Sequence, residues 1–149
     1  MTRIDFYFNL TDRLIFSCRL VRKVIHDSKA SSNEPIVVYC SEKSKLSSFG
    51  ELLYSFSRTD FLPNVLVGDS LEHASPIVLS SNPWIPSSPR RPNLLLNLDD
   101  NICEVFSSFD RVVEVVGSDE DEKLPARKKF TFYKNRGYQI RNHKISEKK

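Results

Sequence analysis

Apolar and polar positions follow two different periods along this chain, and segments of the two kinds alternate. The opening segment RIDFYFNL places Ile4, Phe6 and Phe8 on one face, which predicts a β-strand. From Asp12 to about Lys29 the apolar residues instead recur every three or four positions. That spacing predicts an amphipathic helix, for which Thr11 is a plausible N-cap.

Short apolar runs recur along the rest of the chain, as in strands that are buried on both faces of a sheet. A helical pattern follows the first of these runs, with Ser41 as a candidate N-cap, and a short helical pattern, DDNICEVFSSF, follows the third. Four prolines in NPWIPSSPRRP predict an extended loop. The strand candidates are IVVYC, PIVLSS, NLLLNL, RVVEVV and a short final YQIR.

Strands that alternate with helices predict an α/β fold, with a mostly parallel sheet and helices on both of its faces. No repeat or domain-sized linker interrupts residues 1–149, so we expect a single domain. The four glycines are far apart, whereas a loop that cradles phosphates needs clustered glycines. We therefore expect a nucleotide-binding-like topology that has no nucleotide site and no cofactor.

Composition and cysteine usage indicate a cytoplasmic protein. No apolar run approaches the roughly 20 residues that a membrane helix needs, and MTRIDFYFNL lacks the long apolar core of a signal peptide. Cys18, Cys40 and Cys103 are widely spaced and lie beside apolar neighbours, which predicts reduced, buried thiols.

Candidate catalytic groups are few. None of the three histidines has a second histidine or a cysteine at metal-ligand spacing, and no G-x-S-x-G motif is present. Asp99 and Asp100 follow a predicted strand, where α/β enzymes often place catalytic acids, but a helix N-cap and a first-turn acid are the favoured explanation. The acidic run DEDE could bind a cation or form a solvated loop. We expect no enzyme activity and no metal site.

Charge is distributed very unevenly along the chain. Residues 1–122 carry 12 Lys/Arg and 18 Asp/Glu, a net charge of −6, whereas residues 123–149 carry 10 Lys/Arg and one acid, a net charge of +9. In a helix from about Lys123 to Asn135, Lys123 and Arg127 share a face, and Gly137 would end the helix in a left-handed cap. Aromatic residues interleave these cations. The segment could be a solvated basic helix, a nucleic-acid surface, or a site for an acidic peptide with an apolar end.

A series of segments, in a fixed order, carries a resemblance that covers nearly the whole chain. The segments are FYF, IVVYCSEK, FGELLYSF, DFLPNVLVG, PIVLSS, RRPNLLLNL, FDRVVEVV and KLPARKKFTFYKNRGYQI. Together they resemble the chi subunit family of bacterial DNA polymerase III holoenzymes. The resemblance implies a non-catalytic replication adaptor with two partners: the psi subunit of the clamp loader, and the acidic C-terminal tail of single-stranded DNA-binding protein, which ends in Pro-Phe.

The resemblance also implies two sets of site residues, with DNA reached only indirectly. Lys123 and Arg127 would grip the tail of single-stranded DNA-binding protein. The rest of the pocket and its rim would be formed or supported by Val116, Phe130, Tyr133, Lys134, Gly137 and Tyr138. The psi surface, which a helicase could also use, would involve Tyr54, Phe61, Leu62 and Pro63.

The chain departs from the family pattern in two places. Thr131 stands where some relatives have a further cationic grip, and Lys128 and Lys129 could supply that charge instead. Pro125 lies where a helix interior is usual. Because proline fits only the first turn of a helix without loss, we expect the helix to be kinked or to start later than Lys123.

Overall fold

A computed structural model describes residues 2–27, 34–55, 64–67, 75–86 and 90–145. In this part of the chain seven strands form one sheet in the order β3-β4-β2-β5-β6-β1-β7, and every neighbouring pair is parallel. The strands are β1 (Arg3–Leu10), β2 (Ile36–Tyr39), β3 (Val65–Leu66), β4 (Ile77–Ser80), β5 (Leu94–Asn97), β6 (Arg111–Gly117) and β7 (Gln139–Lys144). The helices are α1 (Arg13–His26), α2 (Lys43–Ser55) and α3 (Glu120–Asn135).

The predicted α/β class is confirmed, and the two faces of the sheet carry separate cores. On one face, the first core joins buried residues of α1 and α2, such as Cys18 and Phe49, to alternate strand residues such as Val38. On the other face, the second core joins Phe6 and Val37 to aromatic residues that include Tyr133 of α3. Successive strand residues therefore serve opposite cores, which explains why the central strands are continuously apolar.

Three local predictions are wrong. The N-cap of α1 is Asp12 rather than Thr11, because Asp12 Oδ1 accepts hydrogen bonds from the backbone N–H groups of Leu14 and Ile15. Helix α2 begins at Lys43, so Ser41 lies one residue before the N-cap position, and its hydroxyl donates to Asp99 (2.7 Å). The short helix predicted after β5 is reduced to one 3-10 turn, Phe106–Ser108.

An irregularity in β1 turns one side chain from one core to the other. Asn9 adopts a left-handed conformation with φ 67°, and the register with β6 shifts between Tyr7 and Leu10. Phe8 packs against the second core, and Leu10, two residues on, packs in the first core instead of the second. A β-bulge produces this inversion of the alternation.

The three cysteines lie in the described part of the chain and are free and buried, as predicted. Burial raises the pKa of the Cys18 thiol to about 12. Among the described residues no helix is long and apolar enough to cross a membrane.

Candidate functional site

Helix α3 starts earlier than predicted and runs through Pro125. It begins at Glu120, so the expectation of a start later than Lys123 is wrong. Three acids, Glu120, Asp121 and Glu122, occupy its first turn, where negative charge is favoured by the helix dipole. Pro125 has no N–H and cannot donate to the carbonyl of Asp121, but the helix continues on both sides of it. The acidic run is therefore a helix start rather than a loop.

The end of α3 confirms the predicted left-handed cap. Gly137 has φ 80°, its N–H donates to the carbonyl of Lys134 (3.0 Å), and the N–H of Tyr138 donates to the carbonyl of Tyr133 (3.1 Å). This pair of bonds is the Schellman motif, which favours glycine at the left-handed position. The cap turns the chain directly into β7.

An open cleft of about 560 Å³ lies between α3 and the carboxyl-terminal halves of β6, β1 and β7. Its floor is apolar, and the rings of Phe6 and Phe130 meet edge to face at 5.7 Å. Among the described residues that line it, three carry positive charge and none is acidic. The lining residues are Phe6, Phe8, Asn9, Val116, Gly117, Lys123, Ala126, Arg127, Phe130, Asn142 and Lys144.

The structure brings half of the predicted tail-site residues together at this cleft. Val116, Lys123, Arg127 and Phe130 all line it. The other four, Tyr133, Lys134, Gly137 and Tyr138, are not among its lining residues.

Those four residues lie behind or beyond the cleft. Tyr133 is fully buried, and the ring of Tyr138 packs on Phe106 at 5.2 Å. Gly137 forms the cap of α3, and Lys134 is exposed on the last turn of α3. Tyr133 nevertheless supports the floor of the cleft from behind, because its ring packs edge to face on that of Phe6 at 6.0 Å.

The two cations of α3 that line the cleft, Lys123 and Arg127, both lie close to the carboxylate of Glu120. Lys123 Nζ lies 3.5 Å from Glu120 Oε1, and Arg127 Nη2 lies 3.7 Å from Glu120 Oε2. The side chains of Arg127 and Glu120 are 66% and 77% exposed, so this contact contributes little to stability. The geometry indicates that the two cations can hold one carboxylate between them.

A buried polar network fixes α3 to the sheet behind the cleft. The carboxylate of Glu114 on β6 accepts hydrogen bonds from Lys129 Nζ (2.8 Å), the hydroxyl of Tyr133 (2.7 Å) and the amide of Asn97 (3.0 Å). Lys129 Nζ also donates to the carbonyl of Asp99. Burial, and next the charge of Glu114, raise the pKa of the Tyr133 phenol. The network holds Lys129 and Tyr133 on the face of α3 that packs against the sheet.

This network shows that the prediction for Lys129 is wrong: Lys129 does not supply the positive charge that some relatives have at the position of Thr131. Lys129 is buried and bonded to Glu114, so its charge is not available to a ligand. Lys128 is exposed but does not line the cleft. The hydroxyl of Thr131 donates to the carbonyl of Arg127 within the helix (3.0 Å).

The carboxylate pair after β5 does not form a helix cap, because no α-helix follows it. Asp99 is buried and accepts hydrogen bonds from the backbone N–H (3.1 Å) and the hydroxyl of Ser41. Burial alone would raise the pKa of Asp99, but these hydrogen bonds hold it below its usual value. Asp100 is exposed. Among the described residues no group of three His, Cys, Asp or Glu side chains could hold a metal ion.

Only one residue of the predicted psi surface lies in the described part of the chain. The side chain of Tyr54 is about half exposed on α2, and its hydroxyl donates to the carbonyl of Asn64 (3.2 Å). Phe61, Leu62 and Pro63 lie outside the described residues.

Sequence reasoning missed the side of the cleft that the sheet supplies. The period of two in β1 placed Phe6 and Phe8 on one face, but it did not show that α3 covers this face. Asn142 and Lys144 extend β7 beyond the predicted YQIR, and their spacing of two with Ile140 was the available signal.

Comparison of the sequence with known proteins points to one family. The family model described as "DNA polymerase III chi subunit, HolC" matches residues 1–141. A DNA polymerase III subunit chi from Pseudomonas aeruginosa is 29% identical over 97% of this chain and 98% of its own length. The subunits chi of Haemophilus influenzae and Escherichia coli are 20% and 22% identical, over 97% and 94% of this chain and 99% and 96% of their own lengths. The chain therefore belongs to the DNA polymerase III chi subunit family, a family of DNA replication subunits.

Proposed function

We propose that this chi-family subunit is a non-catalytic adaptor that binds the acidic C-terminal tail of single-stranded DNA-binding protein. The observation that carries the proposal is the cleft beneath α3, with an apolar floor and a cationic rim. A tail that ends in Pro-Phe with a free carboxylate matches both features. The terminal ring would occupy the floor beside Phe6 and Phe130, and Lys123 and Arg127 would bind the carboxylate.

The contact of Glu120 with both Lys123 and Arg127 supports the proposal that the terminal carboxylate of the tail binds between these two cations. One carboxylate of the protein itself already lies within 4 Å of both cations. A carboxylate of the tail would take its place, and Arg127 could bind it in a bidentate manner, whereas Lys123 acts as a point charge. A short disordered peptide buries little surface, so we expect micromolar affinity, on the order of −8 kcal/mol.

The adaptor role also requires a link to the clamp loader, which we assign to a psi subunit on the surface around Tyr54. An exposed tyrosine on an amphipathic helix is typical of a protein interface. The psi surface and the cleft involve different helices, α2 and α3. Both partners could then bind at once, and many tails on one DNA filament would retain the subunit by avidity.

Fluorescence anisotropy with a labelled acidic peptide ending in Pro-Phe tests the tail site. We expect Arg127→Ala to weaken binding about fivefold, near 1 kcal/mol, because this side chain is mostly exposed. Lys123→Ala should weaken it less, and Lys128→Ala, an exposed neighbour outside the cleft, should have no effect. Removal of the terminal Phe should abolish binding.

Two results would contradict the proposal. If the peptide that lacks its terminal Phe binds as well as the complete peptide, only non-specific charge attraction operates and the apolar floor is not used. If a single-stranded oligonucleotide binds more tightly than the peptide and competes with it, the basic segment is a nucleic-acid site instead.

A further inference from the structure

Strand β7 supplies a second, cationic wall to the cleft, opposite α3. Lys144 and Asn142 both line the cleft, although α3 carries the other two cations. Ile140 packs in the second core, and residues two apart on a strand point to the same face. Asn142 and Lys144 therefore face the α3 side of the sheet. A ligand that fills the cleft would therefore contact Lys123 and Arg127 as well as Lys144.

Lys144 differs from the α3 cations in its charge environment. Lys123 and Arg127 share the carboxylate of Glu120, which offsets part of their charge. Within the described part of the chain no carboxylate pairs with Lys144, and it is exposed. Among the described residues its positive charge is therefore not offset by an ion pair and can act on a ligand in the cleft.

The position of β7 at the edge of the sheet determines on which side a bound peptide can leave the cleft. The described residues place no strand beyond β7, whereas β6 and β1 close the other side of the floor. A peptide whose carboxyl terminus is held at Lys123 and Arg127 can leave the cleft across this open edge. The residues that precede its end would then pass over Lys144 and Asn142.

We propose that Lys144, with Asn142, reads the acidic residues that precede the carboxyl terminus of the bound peptide. This inference rests on the tail binding proposed above and assigns a specificity role within it. The apolar floor and the α3 cations would recognise the last residue. The β7 wall would select peptides whose upstream residues are acidic over peptides that share only the same end.

Arg141 provides a matched control on the same strand. It is exposed and carries the same charge, but it points to the opposite face, as does its neighbour His143, whose ring stacks on Tyr7 at 4.4 Å. Lys144→Ala and Arg141→Ala therefore remove equal charge from opposite faces of β7. Both side chains are exposed, so neither substitution should disturb folding.

The experiment measures anisotropy with two labelled nine-residue peptides that both end in Pro-Phe with a free carboxylate. One carries upstream aspartates, and in the other these are asparagines. We expect Lys144→Ala to weaken binding of the aspartate peptide about two- to fivefold and to leave the asparagine peptide unchanged. Arg141→Ala should leave both affinities close to wild type.

The outcomes separate the two proposals. If the wild-type protein binds neither peptide, the proposed tail binding fails, and this inference fails with it. If the wild type binds both peptides but Lys144→Ala and Arg141→Ala have equal effects, tail binding stands and the β7 wall is refuted. Equal loss for both peptides in Lys144→Ala also refutes it, because the contact would then be with the common end.

Discussion

Replacing Lys129 with methionine should destabilise the protein strongly, although the residue lies in a basic segment where lysines usually face solvent. Its ammonium group lies 2.8 Å from a carboxylate oxygen of Glu114, and the two side chains are 9% and 2% exposed. In Lys129→Met, Glu114 retains hydrogen bonds from Tyr133 and Asn97 but has lost its counter-charge. An uncompensated buried charge of this kind costs about 3–5 kcal/mol.

Urea unfolding followed by circular dichroism measures this loss. With a slope of about 2 kcal/mol per molar urea, the midpoint should fall by about 2 M. The double variant Lys129→Met/Glu114→Gln should recover most of the loss, because it removes both charges and leaves an amide that Tyr133 can still donate to. Lys128→Met, at the exposed neighbour, should change stability by less than about 0.5 kcal/mol. The reasoning is refuted if Lys129→Met behaves like Lys128→Met, or if the double variant is less stable than the single one.

Two further predictions concern the stability of the protein at low pH and the competition of Glu120 with a bound peptide. Burial alone would raise the pKa of Asp5, but hydrogen bonds from Arg111 and His143 hold it below its ordinary value of 3.8. The stability that Asp5 contributes is therefore complete above that value and is lost as the pH falls through the folded pKa. The urea midpoint of the wild type should decrease when the pH is lowered below about 4, and that of Asp5→Asn should decrease less. An equal decrease in both proteins would contradict this. Glu120→Gln should tighten binding of the acidic peptide about two- to fivefold, since it frees Lys123 and Arg127. Unchanged or weaker binding in the anisotropy assay would mean that Glu120 orients the cations rather than competing for them.

The alternation of strands and helices was sufficient to predict the fold class, because each element shows its own period. The short pairing of β3 was missed because two residues carry no period. The bulge at Asn9 was missed for a related reason: the left-handed residue is not a glycine, so nothing interrupts the alternating pattern of β1.

The candidate site was predictable on one side only. Lys123 and Arg127 are four residues apart on a basic helix, and this spacing alone places them together. The difference between Lys128 and Lys129 was hidden, because it depends on the rotation of α3 over the sheet. In the observed rotation, Lys129 is bonded to the buried carboxylate of Glu114. In the sequence RVVEVV, Glu114 looks like an ordinary polar residue of a strand.

The place of β1 in the sheet has a consequence for the synthesis of the protein. The first strand made lies between β6 and β7, and Arg3 pairs in register with Arg111 and Gln139. At the usual rates of translation, about 5–20 s pass between the synthesis of β1 and that of β6, its first partner in the sheet. Until β7 arrives, one edge of β1 is unpaired and could associate with other chains. The cleft needs β1, β6, α3 and β7 together, so it cannot form before β7 has been synthesised.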